Sequence, residues 1–289
     1  MQAAERLLQK ARMLRIRVAR IIRGTKWGLH DNIRMTRAGI EFDSLREYQP
    51  GDDIRSIDWK SSARSRKLIV RSYNESRNRT IFIVVDFTAS MRMGSRGCLK
   101  EEVARDIAVM MAYAAEITGD ALGIAIIRDG AAFSIPPRSG KEHIRLIIAR
   151  LMETSSSGSA GNWADMKQYI DPYIRRNALM VVLSDCIDEH FTQWLCDYAR
   201  RHVVLFGRIL DPVEYTIPTQ VGLVMRDPES GSLLDLSTSS CRKRAQEYVT
   251  ALIKKQDQKT AQVRVNIIAL TTDTSYEDAF ITLLRNGIV

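Results

Sequence analysis

The chain of 289 residues lacks several features that would assign it to a familiar class. No uninterrupted apolar stretch approaches the roughly 18 residues a membrane-spanning helix needs. No apolar core of a signal peptide follows Met1. With neither feature, the expected location is the cytoplasm. Cysteine is scarce and scattered: Cys98, Cys186, Cys196 and Cys241 form no C-x-x-C pair and lie at no zinc-ligand spacing from a histidine. Reduced, partly buried thiols are expected rather than a metal knot or disulfide framework. Enzyme motifs are also missing. Gly140-Lys141 is followed by Glu142 and has no glycine at the upstream position of a Walker A loop. No G-x-S-x-G elbow occurs. His30, His143, His190 and His202 are dispersed, and no general base is evident for hydrolysis. These absences favour a binding module over an enzyme.

What is present is an ordinary globular composition with an uneven charge. Hydrophobic residues make up 45% and charged residues 27%, enough to build a sizeable core. The net charge of +9 is concentrated at one end: residues 1–80 hold 19 Lys/Arg against 9 Asp/Glu, whereas the remainder holds 24 against 25. Residues 4–23 are predicted to form a helix. Leu7, Ala11, Leu14, Val18 and Ile21 make its apolar stripe, seven Lys/Arg cover much of the rest, and Gly24 is its stop. Such a segment fits a polyanionic partner, an acidic protein surface or a membrane face. It carries no aromatic residue for stacking on bases and matches no nucleic-acid module, which disfavours nucleic acid. Membrane contact through it would be peripheral.

After residue 80 short apolar runs alternate with helical patterns. Strands are expected at 81–85, 121–127, 131–135, 178–183, 202–207 and 262–270. Helices are expected at 98–117, 140–152, 163–176, 190–200, 239–257 and 275–286. A hairpin is expected at 221–236, turning through Asp227-Pro228-Glu229-Ser230-Gly231. Strands separated by helices imply an α/β fold: a doubly wound, mostly parallel sheet with helices on both faces. The organisation read from this pattern is a basic N-terminal helix with a β/loop extension over 1–78, then an α/β domain over 79–289 with a hairpin insertion near 210–236.

The run Ile81-Phe82-Ile83-Val84-Val85 ends in Asp86-Phe87-Thr88-Ala89-Ser90. Alternate positions place Asp86, Thr88 and Ser90 on one side of an extended or turning chain. One carboxylate and two hydroxyls are hard oxygen donors suited to Mg²⁺ with several waters retained. The C-terminal end of a strand is also where ligands bind in doubly wound sheets. A second apolar run, Leu179-Met180-Val181-Val182-Leu183-Ser184, delivers Asp185 in the same way. The alternative is that Asp86, Thr88 and Ser90 merely end a strand and cap the next helix.

The Asp-x-Thr-x-Ser string is similar to the Asp-x-Ser-x-Ser signature of von Willebrand factor A domains, which bind partners through a metal. That resemblance implies a MIDAS-type site holding Mg²⁺, Mn²⁺ or Ca²⁺ through Asp86, Thr88, Ser90 and Asp185. It also implies a further ligand from the loop Ser155-Ser156-Ser157-Gly158-Ser159-Ala160-Gly161-Asn162-Trp163. There Asn162 stands where such domains usually carry threonine, with Ser159 as the substitute if the loop is shifted.

A second motif lies upstream, Arg46-Glu47-Tyr48-Gln49-Pro50-Gly51-Asp52-Asp53-Ile54-Arg55-Ser56-Ile57-Asp58-Trp59-Lys60. With Ala63-Arg64 and the Asp86 motif, it resembles domain-of-unknown-function family 58, von Willebrand factor A-like bacterial proteins associated with MoxR-type AAA+ ATPases. The resemblance implies a metal-dependent adaptor or co-chaperone. Its partner would present an acidic residue and would be a MoxR-type ATPase or its client. Within the motif, Arg46, Tyr48, Asp52, Asp53, Arg55, Asp58 and Trp59 admit two readings. One is a structural cap with apolar residues docked and charges networked. The other is a partner surface centred on Tyr48, Arg55 and Trp59.

Overall fold

The structure, a computed structural model, describes residues 41–48, 57–65, 67–74, 80–95, 97–128, 131–156, 163, 165–174, 178–219, 223–228, 230–273, 275, 278 and 280–281. The predicted helix at 4–23 and most of that at 275–286 lie outside them. The chain divides into two compact units, one of which is Ile33–Asn78. In that unit β1 (Glu41–Glu47) pairs antiparallel with β2 (Ile69–Asn74), with a register shift between Phe42 and Ser44. Helix α1 (Trp59–Ser65) begins at Asp58, whose carboxylate accepts from Ser61 N at 2.9 Å, an N-terminal cap. Buried Ser62 joins helix to strand, its Oγ donating to Asp58 O and accepting from Ile69 N.

The second unit is built on one six-stranded sheet. In chain order its strands are β3 (Thr80–Asp86), β4 (Ala121–Arg128), β5 (Ala131–Arg138), β6 (Leu179–Ser184), β7 (Val203–Leu210) and β10 (Asn266–Thr271). Their spatial order is β10-β7-β6-β3-β4-β5, parallel throughout except for β5, which pairs antiparallel with β4 at the edge. The α/β, doubly wound class expected from the sequence is therefore the one observed. From β3 the chain winds outward through β4 and β5, then returns to β6 on the other side of β3 and winds away through β7. The switch in direction falls between β3 and β6, so the crevice at their C-terminal ends is open to a ligand.

Burial follows the strand period of two. Ile81, Ile83 and Val85 point into a core with α2 (Lys100–Thr118) and α3 (Lys141–Glu153). Phe82 and Val84 point into a second core with α4 (Met166–Ile170) and α5 (Glu189–Ala199). Val85 and both neighbours on each side are almost wholly excluded from solvent, which is why the run is continuously apolar. The second core holds an aromatic cluster in which Trp163 meets Phe191 edge-on at 4.4 Å and Phe191 meets Phe206 at 5.1 Å. Gly123 of β4 is required by packing: a Cβ there would lie 2.7 Å from the Phe82 ring. Helix α2 ends at Gly119, whose φ of 79° is the left-handed cap that glycine supplies without strain.

Two expectations need correction. Strand β5 runs on to Arg138 through Pro136 and Pro137 instead of stopping at 135; as an edge strand it tolerates the lost N–H donors. The helix expected over 163–176 is reduced to Met166–Ile170; Pro172, just past its end, has no N–H to continue it.

Beyond β7, α6 (Pro212–Tyr215) leads to the antiparallel pair β8 (Val224–Arg226) and β9 (Leu233–Asp235), then the 23-residue α7 (Ser239–Ala261). Among the described residues no helix is long and apolar enough to cross a membrane. Asp211, just past β7, clasps the rim. One carboxylate oxygen accepts from Ser95 N at 2.8 Å and Thr272 Oγ1 at 2.7 Å, and the other from Val213 N at 3.0 Å. Burial opposes its charge, but these donors outweigh burial and hold its carboxyl below the usual aspartate range.

Phe82→Ala is expected to cost about 3–5 kcal/mol in denaturant unfolding, the usual loss for a fully buried phenylalanine. Asp211→Ala is expected to cost about 1–3 kcal/mol by leaving buried donors unpaired. Because its folded carboxyl is depressed, the stabilisation is complete above the unfolded aspartate pKa of about 4 and fades as pH falls below it. Unfolding curves of wild type and Asp211→Ala should therefore converge in acid and separate at neutral pH.

Candidate functional site

The site forms where β3 and β6 end side by side. Val85 pairs with Leu183, so Asp86 and the Ser184-Asp185 dipeptide leave the sheet together. Past Asp86 the chain turns because Asp86 Oδ1 accepts from Thr88 N at 2.9 Å and from Thr88 Oγ1 at 2.7 Å, a local carboxylate-to-backbone turn. A short 3₁₀ turn, Ala89–Arg92, comes next, anchored by fully buried Met91. Thr88 Oγ1 lies 3.2 Å from Ser90 Oγ, which donates to Asp185 Oδ1 at 3.1 Å. Four oxygens thus run in sequence from Asp86 through Thr88 and Ser90 to Asp185. The structure brings together four of the five expected metal ligands; Asn162, and its substitute Ser159, lie outside the described residues. The loop carrying them leaves α3 under restraint from α2. Arg105 donates to Leu151 O and Thr154 O, and Glu101 accepts from Ser156 N.

Three further residues, not singled out in the sequence, complete the arrangement. Ser184 Oγ donates to Asp86 Oδ2 at 2.6 Å. Lys100, in the first turn of α2, has no exposed side-chain surface, and its Nζ sits 2.6 Å from Asp185 Oδ2 and 2.7 Å from Glu214 Oε1. Glu214 is fixed in turn by Asp211 N, which donates to its Oε2 at 2.7 Å. The loop delivering Lys100 is tight: Lys100 N donates to Met93 O, and a Cβ on Gly94 would fall 2.2 Å from the Cys98 carbonyl oxygen. Ser184 was legible in principle, since it directly precedes Asp185 at a strand end. Glu214 belongs to Asp-Pro-x-Glu, which reads as a helix cap and is one. Lys100 carries no sequence signal, because a lysine at a helix start ordinarily faces water.

Electrostatics single out Asp86. Burial, then the charge of Asp185, raise the Asp86 carboxyl to about 7, against the opposing hydrogen bonds from Ser184 and Thr88. Burial also works against the Lys100 ammonium, but Asp185 and Glu214 outweigh it and hold it above the usual lysine range. Burial raises the Glu214 carboxyl in spite of Lys100. Cys186, in the same cleft, donates from Sγ to Asp188 Oδ2. Burial and the Asp188 charge keep it a thiol rather than a nucleophilic thiolate. The cleft has a volume of about 380 Å³ and adds Met93, Trp163, Ile187 and Pro228 as apolar wall around the oxygens.

Hard oxygens, two of them on carboxylates whose mutual repulsion is only partly relieved, suit a small divalent cation. Asp86, Thr88, Ser90 and Asp185 therefore fit the metal that the resemblance implies. Among the described residues no three His, Cys, Asp or Glu side chains converge as ligands, so hydroxyls would have to supply half of the protein's donors. Of the upstream motif, Asp58 is the cap of α1, whereas Trp59 is 65% exposed. Tyr48 is half-buried and its N–H bonds Leu68 O. Arg46 sits in β1 opposite Val70, and Asp52, Asp53 and Arg55 lie outside the described residues. Glu189, exposed at the start of α5, is held by Lys255 and Lys259.

Comparison with known proteins gives a family and no activity. An uncharacterized protein of Mycobacterium tuberculosis, Rv1480, is 31% identical over 237 residues, covering 80% of this chain and 74% of that protein. The uncharacterized protein YeaD of Bacillus subtilis is 42% identical over 43 residues, 15% of this chain and 11% of its own. Among solved structures, the VWA domain of SpRpn10 aligns with a TM-score of 0.40 and 10% identity, over 70% of this chain and 93% of that domain. The PilB minor pilin of Streptococcus sanguinis aligns with a TM-score of 0.40 and 12% identity, over 76% and 64%. Residues 44–258 match the family described as protein of unknown function DUF58, and the chain belongs to that family.

Proposed function

We propose that this protein is a metal-dependent interaction adaptor. One observation carries the reading: the unbroken line of oxygens from Asp86 through Thr88 and Ser90 to Asp185, open to the cleft at the switch point of the sheet. In the proposed complex these side chains hold Mg²⁺ or Mn²⁺, and the ion presents a coordination position to a carboxylate of the partner. Thr88 and Ser90 orient the two carboxylates, and the apolar wall reduces the water that competes for the ion. The partner is proposed to be a MoxR-type AAA+ ATPase or its client, in keeping with the resemblance of the Arg46–Lys60 motif. A binding role rather than catalysis is part of the proposal.

The test is calorimetric titration of Mg²⁺ and Mn²⁺ into wild type and Asp86→Asn, followed by binding to a purified MoxR-type ATPase with Mg²⁺ or with EDTA. Saturable one-site binding of the ion is expected in wild type and not in the variant. Capture of the ATPase is expected to vanish with EDTA and with Asp86→Asn. The substitution removes a buried carboxylate that repels Asp185 but keeps its shape, so in EDTA the variant should unfold at an equal or higher denaturant concentration than wild type. A partner complex indifferent to both EDTA and Asp86→Asn would sink the proposal.

A further inference from the structure

We infer that Lys100 is a built-in cation that sets both the charge and the number of oxygens this site offers to a metal; the inference rests on the metal-binding reading above. A lysine in the first turn of a helix lies at the wrong end of the helix dipole, and burying its ammonium is costly unless it is paired. Lys100 nevertheless has no exposed side-chain surface, and its Nζ is held at 2.6 Å and 2.7 Å by Asp185 and Glu214. Helix formation does not call for it there. Its position has two effects on the site.

The first concerns charge. Among the described residues, three of the cleft's five carboxylates, Asp86, Asp185 and Glu214, are linked through Lys100 and the hydroxyl line; Asp188 and Asp227 also line it. With those three ionised the net charge of the linked group is minus two. Without Lys100 it would be minus three. A fixed positive charge in contact with a ligand also repels an incoming cation, so wild-type affinity is held below what the carboxylates alone would give.

The second concerns coordination. Asp185 Oδ2 is taken by Lys100, and Asp86 Oδ2 by Ser184. Each carboxylate is left with Oδ1 on the side of the hydroxyl line. Binding through one oxygen per carboxylate suits Mg²⁺, which keeps a compact octahedron with waters. Ca²⁺ gains from carboxylates that offer both oxygens. Lys100 thereby disfavours the larger ion.

The experiment is calorimetric titration of Mg²⁺ and of Ca²⁺ into the full chain, comparing wild type, Lys100→Met and Glu214→Gln, with circular dichroism to verify folding. Lys100→Met is expected to bind Mg²⁺ about tenfold more tightly or better, and to gain more for Ca²⁺, because Asp185 Oδ2 is released. Its melting temperature in EDTA should fall, and added Mg²⁺ should raise it further than in wild type. Glu214→Gln keeps an acceptor for Asp211 N but leaves Lys100 to Asp185 alone, and should weaken Mg²⁺ binding several-fold. It decides the matter if Lys100→Met does not fold. Wild-type binding of Mg²⁺ with affinity and Mg²⁺/Ca²⁺ preference unchanged in the folded variants would overturn the role of Lys100 and leave the metal site standing. A wild type without binding and a Lys100→Met that binds would uphold the role and refute the proposed function. Absence of binding in all three proteins would overturn both.

Discussion

The pairing of one buried ammonium with two carboxylates is the constraint on which the C-terminal rim of this sheet depends. Lys100 ties three segments that are distant in sequence: the start of α2, the residue after β6 and the short helix after β7. Each partner is committed elsewhere as well, Asp185 to Ser90 and Glu214 to the backbone of Asp211. A charge buried this completely is tolerated only while its partners are in place. The same contact therefore fixes where the oxygens of Asp185 point and how the rim closes.

The polar rim sits on a dry foundation. Two hydrophobic layers enclose the sheet, and strand residues alternate between them, so the ends of β3 and β6 have little freedom to move. A packed core of this kind makes the site geometry rigid, as the proposed cation would require. Asp211 extends the restraint to the ends of β7 and β10 through Thr272, and to the loop before α2 through Ser95. Rim carboxylates thus divide into two kinds. Asp211 is satisfied by donors and holds its proton weakly. Asp86 also accepts three hydrogen bonds, but full burial and the charge of Asp185 outweigh them and push it up to about 7. That imbalance marks Asp86, rather than Asp211, as the place where a further positive charge would be welcome.

Much of this was legible along the chain where local pattern and tertiary environment agree. The β3 run is apolar at every position because both faces of the strand are covered, so hydrophobicity alone marks it. The alternation of Asp86, Thr88 and Ser90 anticipated a common direction for their side chains, and the oxygens are indeed contiguous. Reading failed where context overruled local rules. Pro136 and Pro137 argue against a strand, yet they lie in one because β5 is an edge. The helix expected to start at Trp163 is confined to Met166–Ile170, with Pro172 just past its end.

By itself the sequence determined the α/β class, the order of strands and helices, and the two strand ends that carry Asp86 and Asp185. These come from short-range periodicity, which needs no knowledge of neighbours. Only the tertiary structure decided that β6 returns to lie against β3, which brings Ser184 to Asp86, and that Lys100 and Glu214 belong to the same cluster. Lys100 is 85 residues from Asp185 and 114 from Glu214 along the chain. A lysine at a helix start looks the same in sequence whether it faces water or a carboxylate. The difference lies in desolvation and pairing, which exist only once the chain has folded.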